Sequence, residues 1–174
     1  MVEQSILLTD SEATLTLLAA DLGVALKTRG LKLALAESCT GGMAAEAITC
    51  IAGSSAWFDC GFVTYSNQAK IDMLGVLPQT LENYGAVSEQ TAAEMALGTL
   101  KNSHAQITAS ITGIAGPDGG SADKPVGTVC FSWVELNQPA STITKHFQGN
   151  RQQIRQQATA FLMQQLIERL NQTH

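Results

Sequence analysis

The sequence carries little charge, and its basic residues are not arranged to bind a polyanion. Only 14% of its 174 residues are Asp, Glu, Lys or Arg, and the formal net charge is −5. The ten basic residues are scattered along the chain, whereas nucleic-acid-binding domains cluster Lys and Arg on one face. The composition therefore argues against a nucleic-acid partner.

The chain also lacks the patterns of disulfide-rich, metal-binding and exported proteins. Its four cysteines, at positions 39, 50, 60 and 130, include no C-x-x-C pair, and its three histidines are isolated. We therefore expect free thiols, no metal site and a reducing cytoplasm. No apolar run is long enough to span a membrane, and residues 1–4 lack the basic start of a signal peptide. The sequence predicts a cytoplasmic protein that does not bind membranes.

What remains is typical of one globular domain. Hydrophobic residues make up 45% of the chain, and this length can bury a core without disulfides. We expect a single domain over residues 1–174, with residues 1–8 as a loose N-terminal leader. The sparse charge and an apolar terminal helix favour a homodimer or larger homo-oligomer.

Helical and strand patterns alternate along the chain. A capping box at Thr9–Glu12 and leucines spaced by three and four predict a helix that ends at Gly30. Strands are predicted over residues 31–36, 61–66, 105–112, 126–135 and 141–148, and further helices over 42–51, 70–74, 78–84, 88–102 and 150–170. The last two strands form a hairpin. This order predicts an α/β fold with a mixed, mostly parallel sheet of about five strands, covered on both faces.

Polar segments follow three of the predicted strands, at residues 37–42, 65–70 and 113–120. If those strands are parallel, the three segments meet at one edge of the sheet, where ligands bind in such folds. The first segment, E-S-C-T-G-G, places a carboxylate, two hydroxyls, a thiol and two glycines directly before a helix. Glycine admits close approach to the backbone, and a helix start offers free N–H groups. The position predicts an active or binding site.

A hydroxyl nucleophile in this segment needs a base, and the histidines are poorly placed to provide one. There is also no G-x-S-x-G elbow. A lysine is the natural substitute, provided that desolvation or a nearby cation lowers its pKa from about 10.4 toward roughly 7–8. Lys70 suits this role because apolar residues surround it in the sequence. On local grounds alone, Ser38 fits a nucleophile or a turn hydroxyl equally well, and Lys70 also fits an exposed helical lysine.

Several neighbouring residues keep more than one interpretation. Tyr65 could relay the proton, bond the substrate or be a half-buried strand aromatic. Glu37 could cap backbone N–H groups, bond a ligand hydroxyl or pair with Lys70. Cys39 could be a nucleophile, although a buried thiol is the more common role of a small cysteine.

The remaining motifs are weaker. Glycines at 113, 116, 119 and 120 match neither G-x-G-x-x-G nor the P-loop, so they form a phosphate-binding loop or a plain turn. Arg151 and Arg155, one helical turn apart, could bind a phosphate or be a surface pair. Ser121 and Lys124 match S-x-x-K, but Pro125 and a strand follow where that motif needs a helix, so we discount it.

Six ordered motifs together resemble the CinA C-terminal domain family over residues 9–170. They are A-E-S-C-T-G-G, I-A-G-S-S-A-W-F, G-F-V-T-Y-S-N-Q-A-K, G-A-V-S-E, S-I-T-G-I-A-G-P-D-G-G and K-P-V-G-T-V. The resemblance implies a three-layer α/β/α fold. It also implies hydrolysis of the carboxamide of nicotinamide mononucleotide to nicotinate mononucleotide and ammonia, in pyridine-nucleotide recycling, with no cofactor and no metal.

The resemblance further implies a serine–lysine mechanism, with Ser38 as nucleophile, Lys70 as base and Tyr65 as helper. Substrate contacts and oxyanion donors would come from Glu37, Thr40, Gly41, Gly42, Asn67, Gly113, Gly116 and Arg151. The alternative is a catalytically silent nucleotide-binding or assembly module linked to competence or the DNA-damage response. The presence of Ser38, Lys70 and Tyr65 together favours the enzyme.

Overall fold

A five-stranded mixed sheet forms the middle layer of the molecule. The computed structural model describes residues 2–172, with side chains described from residue 12 onward. The strands are β1 Leu33–Glu37, β2 Phe58–Val63, β3 Ile107–Gly113, β4 Thr128–Glu135 and β5 Ser141–His146. Their spatial order is β2-β1-β3-β4-β5. Strands β1, β2 and β3 are parallel, and β4 and β5 complete the sheet as an antiparallel hairpin. The predicted mixed sheet of five strands is confirmed.

Helices cover both faces of this sheet. They are α1 Val2–Arg29, α2 Met43–Thr49, α3 Asn67–Leu74, α4 Pro78–Tyr84, α5 Glu89–Lys101 and α6 Arg151–Asn171, with a short 3₁₀ turn at Ser54–Ala56. Helices α1, α2 and α6 pack on one face, and α3 and α5 on the other. Within residues 2–172, no helix is long and apolar enough to cross a membrane.

The N-terminal boundary differs from the prediction. Helix α1 begins at Val2, so the predicted helix start at Thr9 is wrong, while the loose leader over residues 1–8 stays a prediction. Residues 2–8 contain good helix formers and neither Pro nor Gly, so nothing local ends the helix at Thr9.

The two faces of the sheet are held by different interactions. On one face, alternate residues of β1 and β3, including Leu33, Leu35 and Ile111, join the apolar core with α1 and α6. On the other face, three hydroxyls of β3 donate hydrogen bonds of 2.6–2.9 Å to backbone carbonyls in α5 and the turn before it. These hydroxyls belong to Thr108, Ser110 and Thr112. The buried hydroxyls hold α5 close to the sheet and fix its position along β3.

This arrangement brings the carboxyl ends of β1, β2 and β3 to one edge. The amide of Ser38 donates to Ile111 O at 3.0 Å, and the amide of Thr64 donates to Glu37 O at 2.8 Å. The segments that follow the three strands are therefore tied together by the backbone. Their predicted convergence is confirmed.

Candidate active site

A cleft of about 250 Å³ opens at this edge of the sheet. Its lining includes Ser38, Tyr65, Lys70, Gly113 and Arg151. These residues come from three strand ends, from α3 and from the start of α6. The cleft is therefore built by the convergence of distant segments, as expected for a ligand site in this architecture.

Ser38 and Lys70 are in direct contact at the bottom of the cleft. Lys70 Nζ lies 3.0 Å from Ser38 Oγ. Ser38 is 7% exposed and Lys70 only 1% exposed. Burial lowers the pKa of Lys70 below its ordinary value, because the charged form loses its hydration. The prediction of a desolvated lysine next to Ser38 agrees with this geometry.

The start of α3 aims the lysine at the serine. Ser66 caps this helix by accepting the amide of Ala69 at 3.0 Å. Lys70 follows in the first turn, and its Nζ also donates to Thr64 O at 2.8 Å and Tyr65 O at 3.4 Å. No carboxylate lies within ion-pair distance of Lys70 among the described residues. Neutral carbonyl oxygens thus hold the amine in place without a salt bridge to keep it protonated.

The side chain of Glu37 caps the N-terminus of α2. Its carboxylate is 1% exposed and accepts the amides of Gly42 at 3.1 Å, Ala44 at 3.2 Å and Ala45 at 2.9 Å. Of its three interpretations, the structure supports the backbone cap. The cap also fixes the sharp turn at Gly42, whose φ of 102° favours glycine.

The cap changes which amides are free to bind a ligand. The amide of Gly42 is occupied by Glu37, and the amide of Gly41 donates to Ser38 O at 3.0 Å. Within the described part of the chain, the amides of Cys39 and Thr40 have no oxygen acceptor. The expectation that Gly41 and Gly42 supply oxyanion donors is wrong, because both N–H groups are used inside the loop.

Cys39 is next to Ser38 but is a poor nucleophile here. Its side chain is 6% exposed, and burial raises the pKa of the thiol to about 12. A thiol with this pKa stays protonated near neutral pH, and only the thiolate is strongly nucleophilic. The chemistry of the loop therefore favours Ser38 over Cys39.

Arg151 connects the two outer walls of the cleft. Its guanidinium donates to Gly116 O at 2.7 Å and to the Tyr65 hydroxyl at 3.0 Å. Tyr65 is 62% exposed, so its ring stands at the rim and does not reach into the core. Gly113 ends β3, and an added Cβ would lie 2.7 Å from Val129 Cγ2. The sequence predicted these four residues at the site, and the structure brings them together.

Two other predicted residues are placed differently. Asn67 is the first residue of α3, is exposed, and is not among the residues that line the cleft. Thr40 is fully buried, and its hydroxyl has no hydrogen-bond partner within residues 12–172. Thr40 is not among the residues that line the cleft.

Three residues that line the cleft were not predicted from the sequence. Thr112, Ala86 and Val87 also line the cleft, and the Thr112 hydroxyl donates to Ala86 O at 2.7 Å. Two of these residues, Ala86 and Val87, belong to the motif G-A-V-S-E, but their apolar side chains carry no reactive group that would have indicated a role. The Ser121 amide donates to Lys124 O at 2.9 Å, and the Lys124 amide donates to Ser121 Oγ at 3.1 Å. Neither residue lines the cleft, in agreement with the discounted S-x-x-K motif.

Comparisons with known proteins agree with this fold. The family model of the CinA C-terminal domain matches residues 15–170. The nicotinamide-nucleotide amidohydrolase PncC of Enterobacter agglomerans is 55% identical over 88% of this chain and 94% of its own length. Its namesake in Escherichia coli K12 is 52% identical over 95% of this chain and 99% of its own.

Solved structures give the same result. The competence/damage inducible protein CihA of Agrobacterium tumefaciens has a TM-score of 0.87 and 46% identity, covering 91% of this chain and 96% of its own. The competence damage-inducible protein A of Klebsiella pneumoniae MGH 78578 has a TM-score of 0.88 and 37% identity, covering 92% and 99%. The motifs that first indicated this family also build the core and the cleft of the structure. The chain belongs to the CinA C-terminal domain family.

Proposed function

We propose that this chain is an amidohydrolase that converts nicotinamide mononucleotide to nicotinate mononucleotide and ammonia. The observation that carries the proposal is the 3.0 Å contact between Ser38 Oγ and the buried Nζ of Lys70. A hydroxyl becomes a nucleophile when an adjacent base accepts its proton. The names of the relatives that align over most of the chain support the choice of a nicotinamide nucleotide as substrate.

The first chemical step is attack of Ser38 on the carboxamide carbon. Lys70, as the neutral amine, takes the hydroxyl proton while the Oγ–C bond forms. The carbonyl oxygen becomes an oxyanion, which the amide of Cys39, a residue that lines the cleft, stabilises. Lys70 then returns the proton to the nitrogen of the tetrahedral intermediate, the C–N bond breaks, and ammonia leaves an acyl-enzyme on Ser38.

The second step removes the acyl group. Water loses a proton to Lys70 and attacks the ester carbon, and the same amide stabilises the second oxyanion. Collapse of this intermediate breaks the Oγ–C bond, and Ser38 regains its proton from Lys70. One water is consumed and one ammonia is released, and the chain's own groups end in their starting protonation states.

Substrate orientation falls to the rim of the cleft. Arg151 offers the cation at this rim, and its contacts with Gly116 O and the Tyr65 hydroxyl leave further N–H groups for a phosphate. Gly113 lines the cleft beside Ser38, and its missing side chain lets β3 pack against Val129 of β4. We assign the phosphate to Arg151 and the nicotinamide ring to the space between Ser38 and Gly113.

The test is ammonia release from nicotinamide mononucleotide by the wild type, Ser38→Ala and Lys70→Met. We expect turnover in the wild type and a loss of about a thousandfold or more in both variants. Full activity in Ser38→Ala would contradict the nucleophile. A wild type that binds the nucleotide without turnover would support the silent nucleotide-binding module instead.

We also propose a cytoplasmic homo-oligomer that does not use nucleic acid as a partner. Leu17 and Val24 support self-association, since they lie two turns apart on α1 and are 68% and 61% exposed. Free thiols at all four cysteines suit a reducing compartment. Light scattering of the purified chain measures the oligomeric state directly, and a monomer at micromolar concentration contradicts the first part.

A further inference from the structure

Arg155, on α6, grips the turn that carries the nucleophile. Its Nε donates to Cys39 O at 3.1 Å, and its Nη2 donates to Thr40 O at 2.9 Å. Both acceptors lie in the turn that begins at Ser38. The guanidinium thus binds two successive carbonyls of one short turn from a helix more than a hundred residues away in sequence.

The hydrogen bonds to the carbonyls of this turn fix the direction of the Cys39 amide. The Gly41 amide donates to Ser38 O at 3.0 Å, which closes a turn whose central residues are Cys39 and Thr40. In a trans peptide unit the C=O and the next N–H point in opposite directions. Arg155 holds Thr40 O, so the Gly41 N–H of the same peptide unit points the other way, toward Ser38 O. That bond in turn holds Ser38 O, and the Cys39 N–H of the Ser38–Cys39 unit therefore points away from Gly41.

Arg155 is not free to bind the phosphate of a substrate. Its third nitrogen, Nη1, donates to the Gln152 side chain at 3.2 Å, so all three nitrogens have protein partners. The residue is half-buried and does not line the cleft, whereas Arg151 does. Of the two arginines that the sequence suggested for a phosphate, the structure leaves only Arg151 for that task.

We infer that Arg155 is a positioning residue for the oxyanion hole, holding the turn whose Cys39 amide faces the developing oxyanion. This inference rests on the hydrolysis proposed above. The guanidinium also polarises the carbonyls that it binds, which strengthens the N–H donor of the same peptide unit. Arg155 touches neither the substrate nor the reacting atoms and acts only through the turn.

The experiment compares Arg155→Met, Arg155→Lys and wild type on two substrates. One is nicotinamide mononucleotide, and the other is its thioamide analogue, in which sulfur replaces the carboxamide oxygen. We expect Arg155→Met to lower kcat for the amide about 10- to 100-fold with KM changed less than about threefold, because an oxyanion donor acts in the transition state. We expect Arg155→Lys to recover part of this loss, since a lysine can still donate to one carbonyl.

The thioamide separates positioning from general damage. Sulfur is a weak hydrogen-bond acceptor, so a misplaced oxyanion hole should harm the amide more than the thioamide. The ratio of the two rates should shrink by at least about threefold in Arg155→Met. Gln152→Ala, which removes only the outer contact of Arg155, is the matched control and should keep both rates.

Each other outcome overturns the inference. Equal losses on both substrates would mean that Arg155 only supports the fold, and a raised KM at constant kcat would mean that it binds substrate. If Arg155→Met does not fold, the same ratio measured in Arg155→Lys replaces it. Absence of turnover in the wild type would instead refute the proposed hydrolysis, which keeps the two failures distinct.

Discussion

The carbonyl oxygen of Thr64 lies 2.8 Å from Lys70 Nζ, closer than the hydroxyl of Ser38 at 3.0 Å. A neutral amine has two N–H donors and one lone pair. Thr64 O and Tyr65 O, which can only accept, are placed to take the two hydrogens. The lone pair is then left for the Ser38 O–H. The backbone before α3 therefore selects the orientation in which Lys70 works as a base.

This orientation predicts the pH dependence of the reaction. Because burial lowers the pKa of Lys70, kcat/KM should rise with pH through a pKa below the ordinary lysine value of about 10.4. The rise reports the loss of the lysine proton, so it should disappear in Lys70→Met along with most of the rate. A pH–rate profile on nicotinamide mononucleotide measures both. A profile that falls as pH rises over this range would contradict a basic role.

The same lysine should make stability depend on pH. Its pKa is lower in the folded than in the unfolded chain, so the unfolded chain binds more protons between the two values. The stabilising contribution is complete above the unfolded pKa and is lost as pH falls through the folded pKa. Urea unfolding at several pH values should therefore show the wild type gaining stability relative to Lys70→Met as pH rises.

The matched control for this stability measurement is the exposed lysine at the end of α5. Lys101 is a surface residue, so Lys101→Met should follow the wild type at every pH. A wild type that runs parallel to Lys70→Met across the range would mean that Lys70 titrates alike in both states.

The sequence was informative where chemistry is local and silent where it depends on the path of the backbone. Ser38 and Lys70 were candidates because parallel strands bring their loops to one edge of the sheet, and the family resemblance then chose them over the alternatives. The hydrogen bond from the Gly42 amide to Glu37 could not be predicted, because the sequence around Glu37 is equally compatible with each of the three roles considered for its carboxylate. The grip of Arg155 depends on a contact between residues 115 positions apart.

The fold follows the same division. Apolar periodicity and turn glycines predicted the strands, the helices and their order along the chain, and most of these elements were confirmed within a few residues. The predicted start of α1 at Thr9 was wrong, because the local capping pattern at Thr9–Glu12 competes with good helix formers before it. Pairing between distant strands was inferred only from the general rule for such alternating patterns.

Cys39 offers a test of nucleophile choice. Its thiol is buried and its pKa is raised to about 12, so it should be neither a nucleophile nor easily alkylated. We expect Cys39→Ala to keep kcat within about threefold of wild type. Iodoacetamide at neutral pH should modify the exposed Cys50 without inhibiting the enzyme. Loss of activity that tracks alkylation of Cys39 would reverse the assignment.

Glu37 predicts a large cost in stability for a small change. Glu37→Gln replaces one carboxylate oxygen by an NH₂ group, which cannot accept the amides that the buried carboxylate now binds. We expect a loss of about 2–3 kcal/mol in the free energy of unfolding. Glu46→Gln, on the exposed face of the same helix, is the control and should change stability by less than about 0.5 kcal/mol. Equal, small effects in urea unfolding would show that the cap contributes little.

Arg151 predicts how the enzyme distinguishes a nucleotide from a nucleoside. The guanidinium stands at the rim of the cleft and bonds Gly116 O and the Tyr65 hydroxyl. Losing one charge-assisted contact to a phosphate costs about 1.5–3 kcal/mol, which corresponds to roughly 10- to 150-fold in KM. We therefore expect Arg151→Met to raise KM for nicotinamide mononucleotide by that factor, with a smaller change in kcat because the contact is made before and during the reaction.

The nucleoside that lacks the phosphate provides the matched comparison. Nicotinamide riboside cannot use Arg151 in this way, so its kcat/KM should be similar in wild type and Arg151→Met. Tyr65→Phe removes only the hydroxyl that accepts from Arg151 and should have a milder effect of the same kind. Equal losses on nucleotide and nucleoside would assign Arg151 to the architecture of the cleft, because a phosphate contact predicts a loss that only the nucleotide can suffer.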